Sequence, residues 1–164
     1  MTELIAYHEA GHAVMADSVG AGVRSVSIAP DFDDGPERFA EIQIQWPVTT
    51  MPKREILEKT VWVALAGPVA EMIYDGVIHH PQSRTAWSSD WLTASHAAEE
   101  ITENATQRQR LLDQVIGRLH LVLAKHPYWA AIAALADELL AHEILDVEQV
   151  GDVLDFWLPK SSRR

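Results

Sequence analysis

Cysteine is absent from this chain of 164 residues. Its absence excludes disulfide bonds, thiolate zinc clusters and thiol nucleophiles, so any bound metal ion would have to be held by imidazole and carboxylate groups. A chain without cysteine also suits a reducing compartment, and we therefore expect a cytoplasmic protein.

Basic residues and long apolar runs are also scarce. The 13 lysines and arginines stand against 24 aspartates and glutamates, which gives a formal net charge of −11. Nucleic acid and anionic membranes bind clustered positive charge, so neither is an expected partner. The longest apolar run, VWVALAGPVAEMIY, is shorter than the roughly 20 residues of a membrane-spanning helix. The first residues, MTELIAYHEA, lack the basic start and apolar core of a signal peptide.

The residues that are present have the balance of an ordinary globular domain, with 48% hydrophobic and 23% charged residues. No linker or internal repeat divides the chain, so residues 1–164 are predicted to form a single domain. Apolar periodicity and prolines predict six helices. They are residues 3–19, 52–75, 90–103, about 106–125, 128–143 and 147–157. Asp146 and Gln149 form a capping-box pattern at the last helix.

Two strands are predicted between the first two helices, in VRSVSIA and FAEIQIQW. In the second segment Ile42, Ile44 and Trp46 alternate with polar residues, as in a half-buried strand. An acidic, turn-rich segment, residues 30–38, joins them. The predicted fold class is therefore mainly α with a small antiparallel β-sheet, an α+β fold.

Some local details are also predicted. Pro68 lies inside the second helix, where proline costs about 3 kcal/mol, so a kink or break is expected near Gly67. The predicted helix caps are Thr50 or Met51 for the second helix and Ser88 or Ser89 for the third. Asp90 would then lie in the first turn of the third helix.

The segment AYHEAGHAV carries the pattern His-Glu-x-x-His inside the first predicted helix. His8 and His12 are four residues apart, so on a helix both imidazoles can meet one ion. Glu9 is rotated about 100° from His8 and can reach a water beside that ion without being a ligand. The alternative interpretation is an ordinary helix that carries two exposed histidines at this spacing and binds no metal. The apolar surroundings and the small residues around Gly11 favour a zinc site.

A catalytic zinc site needs a third protein ligand and one position open to water. The residues after His12 lack the glycine and third histidine of metzincins, and no thiolate is available to complete the site. The leading candidates are Glu71, which precedes Asp75 by four residues on a predicted helix, and Asp90. The weaker candidate ligands are His79, His80 and His96, and the candidates to line the site are Trp87 and Trp91.

The order of several segments resembles the peptidase domain of FtsH, the membrane-anchored, ATP-dependent zinc protease. These segments are AYHEAGHAV, VRSVSIAP, ALAGPVAEMIYDG, SSDWLTASHAAEEI and LAKHPYWAAIAALADELLAHEILDVEQV, and they cover nearly the whole chain. The resemblance implies the helical zincin fold of that family, with Zn²⁺ bound by His8, His12 and Asp90 and with Glu9 as the catalytic base. Glu71 would then support the site without binding the ion.

The activity implied by the resemblance is a zinc metallopeptidase. It would hydrolyse peptide bonds in flexible or unfolded polypeptides, with zinc-activated water and Glu9 as general base. The polar-faced strand AEIQIQW could receive the substrate as an added strand. The resemblance also allows a homo-oligomer, because the family assembles as hexamers.

Three features depart from the family. QSRTAWSSD, with the bulky Trp87, replaces the usual small, glycine-containing segment before the aspartate, and Pro68 stands where arginine is common. The ATPase module and membrane anchor of FtsH are missing, so we expect ATP-independent cleavage or cooperation with a separate unfoldase. The departures leave two alternatives open: a non-catalytic binding or regulatory module on the same fold, and a zinc hydrolase of non-peptide amides.

Overall fold

Six α-helices and a three-stranded antiparallel sheet are formed by residues 2–30 and 41–158, which are the residues that the computed structural model describes. The helices are α1 (Thr2–Ser18), α2 (Lys53–Asp75), α3 (Ser88–Ile101), α4 (Ala105–Leu123), α5 (Tyr128–His142) and α6 (Val147–Trp157). The strands are β1 (Gly22–Ser27), β2 (Glu41–Gln45) and β3 (Ile144–Leu145). The predicted class, mainly α with a small antiparallel sheet, is confirmed. Most of the predicted acidic connection, and the start of the predicted second strand, lie outside the described residues.

The sheet has the order β2-β1-β3. β1 and β2 are antiparallel, as predicted, and they pair from Gly22 opposite Gln45 to Ser27 opposite Glu41. β3 was not predicted, because two residues are too few to show a strand period. It is held by its pairing with the end of β1, and its Leu145 is fully buried.

The helix α1 lies at the centre of the fold and packs against α2, α5 and the sheet. Its middle residues are small, and Gly11 lets the two helix backbones approach closely. A β-carbon at Gly11 would lie 2.6 Å from Cβ of Ala70 and 2.7 Å from the carbonyl oxygen of Ala66. This close contact presses one face of α1, the face that carries its two histidines, against α2.

The helix α2 runs without interruption through Gly67 and Pro68, so of the predicted kink or break the break is wrong. Pro68 is buried, and α2 packs against α1, α3 and α4. Burial of apolar surface on several sides of the helix offsets the loss of one backbone hydrogen bond at the proline. Tertiary packing thus overrides the local preference.

The capping predictions have mixed outcomes. The N-cap of α2 is Pro52, not Thr50 or Met51, and no side chain caps it. The helix α3 begins at Ser88 directly after a short 3₁₀ turn, so neither Ser88 nor Ser89 is its cap, although Asp90 lies in its first turn as predicted. The capping box of Asp146 and Gln149 at α6 is confirmed. No helix within the described ranges is long and apolar enough to cross a lipid bilayer.

Candidate metal centre

His8 and His12 of α1 meet Asp90 of α3 at the boundary between α1, α2 and α3. Nε2 of His8 lies 2.8 Å from Oδ2 of Asp90, and Nε2 of His12 lies 3.2 Å from Oδ1 of the same carboxylate. The two Nε2 atoms are 3.1 Å apart. One ligand atom from each of the three residues can be chosen so that all lie within 4.8 Å of one another, which is compatible with binding a single ion.

The backbone of α2 passes directly beside the two imidazoles at Gly67. A β-carbon at this position would lie 2.4 Å from Nε2 of His12 and 2.8 Å from Nε2 of His8, both far inside van der Waals contact. The absence of a side chain at Gly67 therefore provides the space in which the two histidine nitrogens converge.

Replacing Gly67 by alanine should consequently disturb the site. The added methyl group must displace both imidazoles, and overpacking of this kind destabilises folded proteins by about 1–3 kcal/mol. We expect weaker zinc binding in an isothermal titration and a lower free energy of unfolding in urea. The matched control is Gly117→Ala in α4, where a β-carbon would meet nothing within 4 Å. Equal zinc affinity in the two variants would contradict the prediction.

The opposite nitrogen of each imidazole has a fixed partner. Nδ1 of His12 donates to the carbonyl oxygen of Val63 at 2.7 Å, and Nδ1 of His8 donates to Oε2 of Glu71 at 2.7 Å. A carbonyl oxygen and an ionised carboxylate can only accept, so both Nδ1 atoms carry hydrogen. In the neutral rings, both Nε2 atoms therefore direct lone pairs towards each other and towards Asp90.

Lone pairs that converge in this way repel one another unless a cation lies between them. Without a metal ion, a proton bound to an imidazole supplies the positive charge. Burial acts to lower the pKa of His8, but hydrogen bonds with Asp90 and Glu71 outweigh it and raise the pKa to about 10. Burial would raise the pKa of Asp90, yet the neighbouring charge of His12 and its hydrogen bond keep that pKa below its usual range. Two imidazole nitrogens, on rings that are each held by a second partner, and one carboxylate are also the donor set that suits a catalytic zinc ion.

Glu9 is the neighbour of His8 on α1 and is only 6% exposed. Within residues 2–30 and 41–158, no hydrogen bond to its carboxylate is present. Burial raises its pKa above the ordinary value, while the nearby positive charges of His12 and His8 act in the opposite direction. A buried carboxylate with a raised pKa and free acceptor atoms is suited to taking up a proton.

The other candidate ligands named from the sequence lie outside the cluster of His8, His12 and Asp90. Glu71 contacts His8 at the nitrogen that faces away from Asp90, so it supports the imidazole rather than joining the cluster. His80 lies 3.4 Å from Asp113 on an exposed surface. His79, His80 and His96 are all exposed, and none of them joins a group able to hold a metal in the part of the chain that the structure describes.

Three features of the site were not predicted from the sequence. The hydrogen bond from His12 to the carbonyl oxygen of Val63 cannot be predicted from residue types, because every residue has the same backbone oxygen. The close approach at Gly67 depends on which face of α2 meets α1. The hydrogen bond from the indole Nε1–H of Trp87 to Oε2 of Glu71 was not predicted either, because the sequence indicated the fully buried Trp87 only as a candidate to line the site.

Sequence comparison finds no matching protein-family model and no significantly similar curated protein.

Proposed function

We propose that this protein is a zinc-dependent endopeptidase that hydrolyses peptide bonds in flexible or unfolded polypeptides. The observation that carries the proposal is the convergence of His8, His12 and Asp90 on one point next to the buried Glu9. The resemblance of the sequence to the FtsH peptidase domain supports the same ligands and the same base, and it suggests a helical zincin fold.

The chemistry follows from the roles of the protein groups. A zinc ion in this cluster would act as a Lewis acid, polarising the substrate carbonyl and increasing the acidity of water. Val63 and Glu71 hold the His12 and His8 rings with Nε2 available for binding. Glu9 accepts a proton from the attacking water and passes it to the departing amine. Its raised pKa suits both transfers.

The sheet offers a means of holding the substrate. β2 pairs with β1 on one side, and no strand within the described ranges pairs with its other edge. An extended peptide can add to such an edge through backbone hydrogen bonds. An unfolded segment can adopt this extended form along its whole length, so the proposed substrate is an unfolded segment, reached without ATP or delivered by a separate unfoldase.

A metal analysis combined with a cleavage assay tests this proposal. Purified protein should contain about one zinc ion per chain, and it should cleave a casein-like unfolded substrate but not a stably folded domain. A chelator should stop cleavage and added Zn²⁺ should restore it. Failure to bind zinc would refute the proposal, whereas zinc binding without cleavage of any peptide would favour the non-catalytic binding module.

A further inference from the structure

The indole of Trp87 connects the candidate metal centre to the segment that leads into α3. Trp87 is 1% exposed, and it is the only one of the six tryptophans, all within the described ranges, that is fully buried. It is also the N-cap residue of α3, in whose first turn Asp90 lies. Trp87 thus lies three positions before the proposed ligand Asp90, and its side chain contacts Glu71, the partner of the proposed ligand His8.

A buried indole N–H needs an acceptor, because leaving it without one costs free energy. The acceptor here is Oε2 of Glu71, the same oxygen that accepts the Nδ1–H of His8. A continuous chain of hydrogen bonds therefore runs from Trp87, at the N-cap of α3, through Glu71 of α2 to His8 of α1. Hydrogen bonds to an ionised carboxylate are stronger than neutral ones, so the two donors together hold the Glu71 carboxylate in one orientation.

The ring of Trp87 is itself held in place. The guanidinium carbon of Arg84 lies 4.7 Å from the centre of the indole, an arrangement that allows a cation–π interaction. The ring of His79 approaches it edge-on, with 6.4 Å between the centroids. Both neighbours belong to the connection between α2 and α3, so the position of the indole is set by the segment that also sets the start of α3.

We propose that Trp87 is a positioning residue of the metal centre, which acts by holding Glu71 against His8. This inference depends on the proposed function, because it requires that His8 binds the ion. Without the indole donor, the Glu71 carboxylate can rotate away from Nδ1 of His8, and the imidazole loses its fixed orientation. Removing groups that orient metal ligands typically weakens metal binding by about 10- to 100-fold.

The variant Trp87→Phe tests this role, since it removes the N–H donor and retains an aromatic ring. We expect its Zn²⁺ affinity, measured by competition with a chromogenic chelator, to fall by about 10- to 100-fold. We also expect the visible absorption bands of the Co²⁺-substituted protein to shift, because they report ligand geometry. Trp62→Phe is the matched control. It changes a half-buried tryptophan on α2 that faces a surface groove together with Met15 and Tyr128, so both readouts should stay unchanged.

A double-mutant cycle separates positioning from general packing. If Trp87 acts through Glu71, Trp87→Phe should have little further effect on Zn²⁺ affinity in a Glu71→Ala background. Full additivity would overturn the proposal. An unchanged Co²⁺ spectrum and Zn²⁺ affinity in Trp87→Phe would also overturn it, while failure of the wild-type protein to bind either ion would refute the metal centre itself.

A measurement on the wild-type protein covers the case in which Trp87→Phe does not fold. In protein labelled with ¹⁵N-tryptophan, the indole proton of Trp87 should exchange with solvent more slowly than those of the five half-buried tryptophans. Its resonance should shift when Zn²⁺ is added, because the Glu71 carboxylate is shared with His8. Rapid exchange, or a resonance unaffected by Zn²⁺ bound to the protein, would contradict the proposal.

Discussion

Replacing Glu9 by glutamine should lower the rate of peptide cleavage by about 10²- to 10⁴-fold, the contribution typical of a positioned general base. Glutamine has nearly the same shape as glutamate but cannot take a proton from water. The residue is not part of the cluster of His8, His12 and Asp90, so the zinc content should stay at the wild-type value. Steady-state cleavage of an unfolded peptide and metal analysis on the same preparation measure the two effects.

The stability of this variant gives a check against misfolding. Burial raises the pKa of Glu9, so in the folded protein the ionised carboxylate is less favourable than in the unfolded chain. A raised carboxyl pKa contributes stability below the unfolded pKa and loses it as pH rises through the folded pKa. At neutral pH the carboxylate therefore lowers the stability of the metal-free protein, and metal-free Glu9→Gln should unfold at no lower temperature than the metal-free wild-type protein.

Glu3→Gln is the control for Glu9→Gln. Glu3 lies in the first turn of the same helix, is exposed, and accepts a hydrogen bond from Tyr74, which glutamine can also accept. Its cleavage rate should equal that of the wild-type protein. Wild-type activity in Glu9→Gln would show that another group accepts the proton, and the proposed mechanism would be wrong.

Replacing Asp90 by alanine should abolish zinc binding at the concentrations at which the wild-type protein is saturated. The change removes the only carboxylate of the cluster and its negative charge, and two neutral imidazoles alone do not complete a catalytic zinc site. The loss of affinity should exceed the 10- to 100-fold effect that is typical of residues that only orient ligands. Chelator competition measures the affinity, and cleavage should be lost with the metal.

Glu99→Ala provides the comparison for this variant, because Glu99 is an exposed acidic residue on the same helix, α3. It controls for the change of one unit in net charge and should leave zinc binding and cleavage unchanged. If Asp90→Ala bound zinc as tightly as Glu99→Ala, Asp90 would not be a ligand, and a different third ligand would be needed.

Much of the fold was predictable because its helices carry strong local signals. Apolar periodicity marks α4, whose buried residues Leu112, Val115, Leu119 and Leu123 recur at three- and four-residue steps, and the capping box marks the start of α6. The errors occur where tertiary structure decides. β3 exists only because the chain returns beside β1, and α2 continues through Pro68 because its neighbours bury it.

In the candidate site, as in the fold, local sequence predicts some features and tertiary structure decides the others. The four-residue spacing of His8 and His12 was enough to predict that both imidazoles lie on one helix face, because this follows from helix geometry alone. Choosing between Glu71 and Asp90 required knowing how α3 returns to α1, and within the sequence only the family resemblance indicated this. The structure places Asp90 against both Nε2 atoms and Glu71 on the opposite side of His8.

The contact at Gly67 has a consequence for natural variation. Every other amino acid carries a β-carbon, so no missense change at this codon is conservative, and even the smallest one enters the space of the two imidazoles. In a saturation mutagenesis library selected for function, position 67 should retain glycine alone, while position 117 should accept many residues. A position without a side chain would thus be as intolerant of mutation as the proposed ligands themselves.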